Sequence, residues 1–427
     1  MKGDLLPMLE FTVQFLSNPA FILGIVALVG LIALKKSISE ILVGTLKTVL
    51  GFLILQAGTN VIVSALTPFS TMFTQAFHLT GIVAEDNSLV AAVQPNLGTE
   101  TAFILVFSFI INVLLARVTK FKYIFLTGHM MFSFAGTMAI VLDQMKINGW
   151  KAILIGSIVQ GISMVLFPAI SQSSVRIVTG GDNVAFGFWG SSWVSLCGWI
   201  GGKLGDKTKS TEDINVSKKF GFLKDMSVLM GIVMTLVYII TVFFVKPEDM
   251  LKISGGENPY LFAIIQALTF VAGILVLLQG VRMFLGEIVP AFKGISEKIV
   301  PGAKPALDVP IFYSFAPTGV TVGFITTLIG SLITTLLSKW LPVAVLPSVI
   351  GLFFMGGAVG VFGNARGGKR GAILGGLIFG ITWTLLIAFS YPIVSVSKYN
   401  ISGLWFASPD AIIVAVIMRL LGKVFGL

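Results

Sequence analysis

Phe21-Ile-Leu-Gly-Ile-Val-Ala-Leu-Val-Gly-Leu-Ile-Ala-Leu34, closed by Lys35-Lys36, is the stretch from which the architecture follows. An uncharged apolar run ended by two lysines reads as a membrane segment with its basic end in the cytoplasm. Similar runs recur near 48–66, 102–116, 122–142, 151–170, 184–202, 226–245, 261–285, 309–338, 341–364, 371–395 and 403–421. With 56% hydrophobic and only 11% charged residues in 427, against about 25% charged in soluble chains, the protein is expected to be polytopic. About ten to twelve hydrophobic segments are expected, since about 20 residues cross a bilayer as a helix. They leave no space for an appended soluble domain, and the first run, lacking a cleavage pattern, is expected to be retained. The net charge of +10 sits between the runs, which assigns it to topology and lipid headgroups rather than nucleic acid. A lone Cys197 excludes a disulfide framework and a CxxC metal site.

The longest hydrophilic stretch, Gly201 to Lys224, carries six lysines against Asp206, Glu212 and Asp213. It is read as a cytoplasmic loop between two related halves. A shift of 222 residues lays Gly51, Gly58 and Pro68 on Gly273, Gly280 and Pro290. A shift of 221 lays Gly98, Phe103, Phe132 and Gly136 on Gly319, Phe324, Phe353 and Gly357. Transporter folds are commonly built from such duplicated bundles. The expected organisation is a first membrane repeat over 1–205, a basic loop over 206–225, a connecting segment over 226–260 and a second repeat over 261–427.

Polar side chains inside apolar runs are costly and therefore functional candidates. Asp308 opens a Pro-rich stretch, Val309-Pro-Ile-Phe-Tyr-Ser-Phe-Ala-Pro317, suited to irregular backbone beside a cavity. Its carboxylate can accept hydrogen bonds from hydroxyls or act as a general base, or simply cap a helix. Asp86, with Asn87, lies 222 residues earlier. His129, in Leu126-Thr-Gly-His-Met-Met-Phe132, can hydrogen-bond a polar solute, carry charge toward an anion, or serve the fold alone. Gln56 and Gln279 are repeat mates that bond a solute or tie helices. Arg366, Lys369 and Arg370 form a basic Gly-rich turn, read either as a cytoplasmic marker or as a dock for a phosphoprotein. No GxxxxGK[ST] loop, metal spacing or Ser/His/Asp order is present, so no metal or other cofactor is expected. Energy must come from an ion gradient or a partner protein.

The chain resembles the ascorbate-type enzyme IIC permeases of the bacterial phosphoenolpyruvate-dependent sugar phosphotransferase system. The resemblance rests on Gly51-Phe-Leu-Ile-Leu-Gln-Ala-Gly58, Leu126 to Phe132, Gln279-Gly-Val-Arg-Met-Phe284, Ala291 to Ser296 with Pro301-Gly-Ala303, Tyr313-Ser-Phe-Ala-Pro317, and Gly360-Val-Phe-Gly-Asn364 with Gly367, Gly368 and Arg370. It implies a homodimeric, internally duplicated permease of the inner (cytoplasmic) membrane, in which a core domain moves past a dimerisation domain like an elevator. A separate enzyme IIB, charged by enzyme IIA and phosphorylated on cysteine, would phosphorylate the solute. Cys197 lies inside an apolar run, so the chain supplies no phosphocysteine loop of its own. By the resemblance His129 and Asp308 bind solute, and Thr59 stands where a small hydroxyl is usual. Asp86 and Asn87 occupy a contact position with unexpected residue types. Ser133 and Phe134 replace a glutamine pair, and Ser191-Ser-Trp193 stands near an expected His/Gln-rich stretch. Such exchanges alter a pocket's hydrogen-bond pattern and extend the solute class to another sugar acid or polyol.

The sequence thus points to an all-α permease subunit with Thr59, Asp86, Asn87, His129, Ser133, Trp193 and Asp308 as solute-binding candidates. Asp308 is the one candidate for a chemical role. The alternative is an ion-coupled secondary transporter, with Asp86 and Asp308 binding H⁺ or Na⁺.

Overall fold

The computed structural model describes residues 19–76, 81–213, 226–298, 300–399 and 403–424, together with 401 and 426. Among the described residues six helices have the length and apolarity to cross a membrane, spanning Ile38–Ala76, Pro95–Val118, Trp150–Thr179, Pro259–Phe292, Pro317–Leu336 and Val349–Ser390. Two shorter apolar helices, Leu23–Ala33 and Met230–Phe244, accompany them. The chain is therefore a multi-pass helical membrane protein. At 1.5 Å per residue a helix of 39 residues reaches about 58 Å, well beyond a hydrocarbon layer of about 30 Å.

Helix α1 (Pro19–Ala33) and α2 (Ile38–Ala76) pack on α9 (Pro259–Lys298). The α2–α9 crossing is set by glycines. A Cβ on Gly58 would lie 2.3 Å from the Leu277 backbone nitrogen, and one on Gly280 would lie 2.2 Å from that of Leu55. One on Gly51 would strike the Phe284 backbone and one on Gly273 the Ile62 side chain and backbone. Each contact maps onto another when 222 is added to the α2 member and subtracted from the α9 member, since 55 + 222 = 277 and 62 + 222 = 284. Both helices also contain an internal proline, Pro68 and Pro290. Without a hydrophobic drive between helices in lipid, such close backbone approach supplies the packing.

Not all of the apolar runs are helices. Six short strands were not expected: β1 (Ile82–Ala84), β2 (Tyr123–Phe125), β3 (Ala185–Phe186), β4 (Lys304–Leu307), β5 (Val345–Leu346) and β6 (Leu404–Trp405). They form two three-stranded sheets, ordered β5-β1-β6 and β2-β4-β3, with every pair parallel. Runs read as single membrane segments are instead strand, turn and short helix. Three cases are β2 with α4 (Gly128–Gln144), β3 with α6 (Ser191–Lys203) and β6 with α13 (Pro409–Val424), while the run near 309–338 opens on a separate short helix, α10 (Pro310–Tyr313). A fully buried strand and a buried helix carry the same uninterrupted apolar pattern, so periodicity cannot separate them. Pairing satisfies strand N–H and C=O groups that apolar surroundings would leave unbonded.

Each central strand comes from one half of the chain and both its neighbours from the other. Ile82 faces Val345 and Val83 faces Leu346, while Lys304 faces Tyr123 and Pro305 faces Ile124. These registers are again exchanged by 222. The remaining helices are α3 (Asp86–Val118), α5 (Trp150–Thr179), α7 (Met226–Phe244), α8 (Pro247–Ile253), α11 (Pro317–Leu336) and α12 (Val349–Ser390), the last broken at Gly367 and Gly368.

Candidate functional site

Strand pairing brings the principal candidates together. Asp308 follows β4 directly, and His129 stands four residues after β2, near the start of α4. Because β2 lies beside β4 with Phe125 opposite Ala306, His129 Nε2 comes to 3.6 Å from Asp308 Oδ2, although 179 positions separate them in the chain. The backbone holds the register on both sides. The N–H of Leu126 donates to Ala306 O at 3.0 Å, and that of Gly187 donates to Leu307 O at 2.8 Å. Asp308 Oδ1 accepts the Val309 N–H at 2.7 Å, which leaves Oδ2 facing the imidazole. His129 is half-exposed and the Asp308 side chain is about one-fifth exposed, so the pair looks outward rather than into the core.

Beside them lies a small cavity lined by His129, Asp308, Thr127, Gly128 and an apolar wall. That wall is built from α1 (Leu23), α2 (Phe52, Leu55), α9 (Phe284) and α10 (Ile311), with Leu126 and Leu307. Apolar walls with a few convergent polar groups are the form of a small-molecule site. Thr127 was not anticipated. Its buried hydroxyl has no hydrogen-bond partner among the described residues, and it directly precedes the Gly128-His129 pair. Thr59 lies one turn beyond Leu55 on α2, and its hydroxyl too is buried and unpartnered among the described residues. Buried polar groups are almost always paired, so the orphan hydroxyl of Thr127 at the cavity is suited to a hydroxylated ligand.

The other candidates lie elsewhere in the bonding pattern. Asp86 opens α3 two residues after β1, and its carboxylate is closed off. It accepts the Ala407 N–H at 2.8 Å and the Ser408 hydroxyl, and it is 6% exposed. Ser133 donates to Met130 O at 3.0 Å within α4, and the Trp193 indole N–H donates to Thr382 on α12 at 3.1 Å. The side chain of Asn87 lies outside the described residues. Gln56 and Gln279 are not among the residues lining the cavity. Thus His129 and Asp308 meet, Thr59 is not among the residues lining the cavity, and Asp86, Ser133 and Trp193 are each bonded to protein.

Around this site the core is aromatic. Trp189 stacks on Phe125 at 4.5 Å, packs on Phe134 at 4.4 Å, and donates its indole N–H to Met130 O at 2.6 Å. A second buried carboxylate escaped the sequence reading. Asp410, at the start of α13, accepts the Ser192 N–H at 3.3 Å and the hydroxyls of Ser191 and Ser192 at the start of α6. At the outer end of β4, Asp182 accepts from Gln172 (2.8 Å), Arg176 (2.8 Å) and Lys304. That cluster clamps the strand whose other end carries Asp308. Cys197 is buried within α6. Among the described residues no group of three or more His, Cys, Asp or Glu side chains is arranged to hold a metal.

Comparison with known proteins gives two findings. Residues 14–420 match the family described as PTS system sugar-specific permease component. The ascorbate-specific PTS system EIIC component of Mycoplasma pneumoniae is 29% identical over 448 residues, covering 92% of this chain and 67% of that protein.

Proposed function

Since the chain belongs to the PTS sugar-specific permease family (EIIC-GAT), and is thus the permease subunit of a phosphotransferase system, we propose that it carries ascorbate or a related sugar acid or polyol. The observation that carries this reading is the His129–Asp308 pair at 3.6 Å, set in an apolar cavity with the orphan hydroxyl of Thr127. A carboxylate accepts from solute hydroxyls, while imidazole and threonine hydroxyl can donate to an enolate or ring oxygen. The ascorbate specificity of the Mycoplasma pneumoniae relative supports the solute class. The partner is an enzyme IIB phosphorylated on cysteine and charged by enzyme IIA. In transfer, a solute hydroxyl oxygen bonds to phosphorus as the P–S bond breaks with its electron pair on sulfur. Asp308 takes the hydroxyl proton, a role open to it because it faces the cavity.

The further organisation belongs to the same proposal: two repeats over 1–205 and 261–427, joined by the 206–225 loop and the 226–260 segment. The chain forms a homodimer in a bacterial inner membrane, where a core moves past a dimerisation part. The matching glycine contacts, strand registers and proline positions support the duplication. The ion-coupled alternative is not favoured, because the family does not support it and Asp86 already accepts two protein hydrogen bonds.

The test is uptake of radiolabelled ascorbate and a panel of sugar acids and polyols into vesicles, with and without phosphorylated enzyme IIB. A phosphorylated product formed only with enzyme IIB is expected. Unmodified solute accumulating on an ion gradient, indifferent to enzyme IIB, would overturn the reading.

A further inference from the structure

Two basic segments far apart in the chain are joined into one surface. After α6, residues 204–213 fold back onto the break in α12. The Asp206 N–H donates to Gly367 O at 2.8 Å, and the Lys369 N–H donates to Lys209 O at 2.7 Å. The Thr211 N–H donates to Asn364 Oδ1 at 2.7 Å, and Lys369 Nζ donates to Asp213 O at 2.8 Å. The seat requires glycine. Gly368 has φ +58°, and a Cβ there would lie 2.2 Å from Lys209 O and 2.3 Å from Asp206 O.

The joined surface carries Lys203, Lys207, Lys209, Lys369 and Arg370 against Asp206, Glu212 and Asp213, while the partly buried Arg366 donates to Ser174 Oγ at 3.0 Å. Two of the carboxylates are engaged locally. Asp206 bonds Thr208 and lies 3.4 Å from Lys209, and Glu212 accepts the N–H groups of Thr318 (3.3 Å) and Gly319 (3.1 Å) at the start of α11. Lys207 and Arg370 are exposed and have no carboxylate partner among the described residues. Arg176 and Lys304, by contrast, are neutralised by Asp182, and Lys36 by Glu40.

We propose that the 203–213 loop, seated on the Gly367–Gly368 break, is the docking surface for the phosphorylated partner protein. The partner is taken from the phosphotransferase reading, on which this inference rests. A phosphoryl group carries a charge of about −1.5 to −2, and complementary charge steers such an encounter. Scattered topological lysines need no fixed shape, whereas this patch is held by backbone bonds between distant segments. Glu212 also ties it to the N-terminus of α11, the helix that begins nine residues after Asp308. Docking would therefore load an element continuous with the solute site.

The experiment uses the full chain in phosphatidylcholine nanodiscs, which lack anionic headgroups, with phosphorylated ascorbate-type enzyme IIB as the probe. Lys207→Glu with Arg370→Glu is expected to weaken binding of the probe at least tenfold and to reduce phosphorylated product to a similar extent. Solute binding in the absence of the probe should stay unchanged, as should probe binding by Lys146→Glu, a control away from the patch. Unchanged probe binding by the double variant overturns the proposal, as does an equal loss in Lys146→Glu. A loss seen only in vesicles of anionic lipid also overturns it and assigns the patch to headgroups. If the unaltered protein yields no partner-dependent product with any solute, it is the phosphotransferase reading of solute and partner that fails.

Discussion

Asp308 directly follows β4 and Asp86 lies two residues beyond β1, and they meet different neighbours. Asp86 accepts hydrogen bonds from Ala407 and Ser408, whereas Asp308 keeps one oxygen directed at His129 and the cavity. Asp308→Asn is therefore expected to lower solute affinity at least tenfold and to slow phosphoryl transfer further, measured by equilibrium binding and product formation. A variant that binds and supports transfer normally would remove both roles. Asp86→Ala should instead leave affinity near wild type and lower the melting temperature, because buried donors lose their acceptor at about 1–3 kcal/mol. Asp182 offers a test by pH. Its partial burial raises the carboxyl, but hydrogen bonds from Arg176, Lys304 and Gln172 outweigh this and hold it well below the usual carboxylate range. A depressed folded-state value means that its stabilisation is complete above the ordinary aspartate value of about 3.9 and is lost as pH falls below it. The melting difference between wild type and Asp182→Asn should thus be constant from about pH 5 to 8 and shrink in stronger acid. A difference that grows on acidification contradicts the clamp.

At the scale of elements, the α2–α9 crossing depends on glycine because the partner atoms are backbone, which cannot rotate away. Gly58→Leu or Gly280→Leu should destabilise the detergent-solubilised protein by several kcal/mol, beyond the about 1–3 typical of overpacking. Thermal unfolding followed by loss of monodisperse material measures this. Tolerance of both substitutions would show that the crossing differs from the one described. The glycine spacing was visible in the sequence, since Gly51, Gly58, Gly273 and Gly280 stand out at a fixed offset. The strands were not. Tyr123-Ile-Phe125 and Val345-Leu346 are too short and too uniformly apolar for a period of two to register, and their identity comes from the partner across the sheet.

For the whole molecule, interleaving is the governing feature. The first half's β1 needs β5 and β6 as neighbours, and the second half's β4 needs β2 and β3. Fragments 1–213 and 226–427 expressed separately should fail to give monodisperse protein, since each would leave unpaired strand edges in apolar surroundings. Coexpressed, they should copurify in equal amounts and bind solute. A single fragment that is stable and monodisperse alone would refute the interdependence.

The sequence by itself determined the membrane class, the spacing of the glycines and prolines, and the residue types that bear chemistry. These follow from local quantities: the length of apolar runs, the positions of glycine and proline, and the rarity of polar groups among them. His129 and Asp308 stood out for that reason. Their approach to 3.6 Å, the closure of Asp86, the orphan hydroxyl of Thr127 and the Asp410 junction were decided only by the tertiary structure. Each depends on which strand pairs with which across some 180 to 320 residues. A carboxylate in an apolar run carries no local mark of whether its donor will be the protein or a solute.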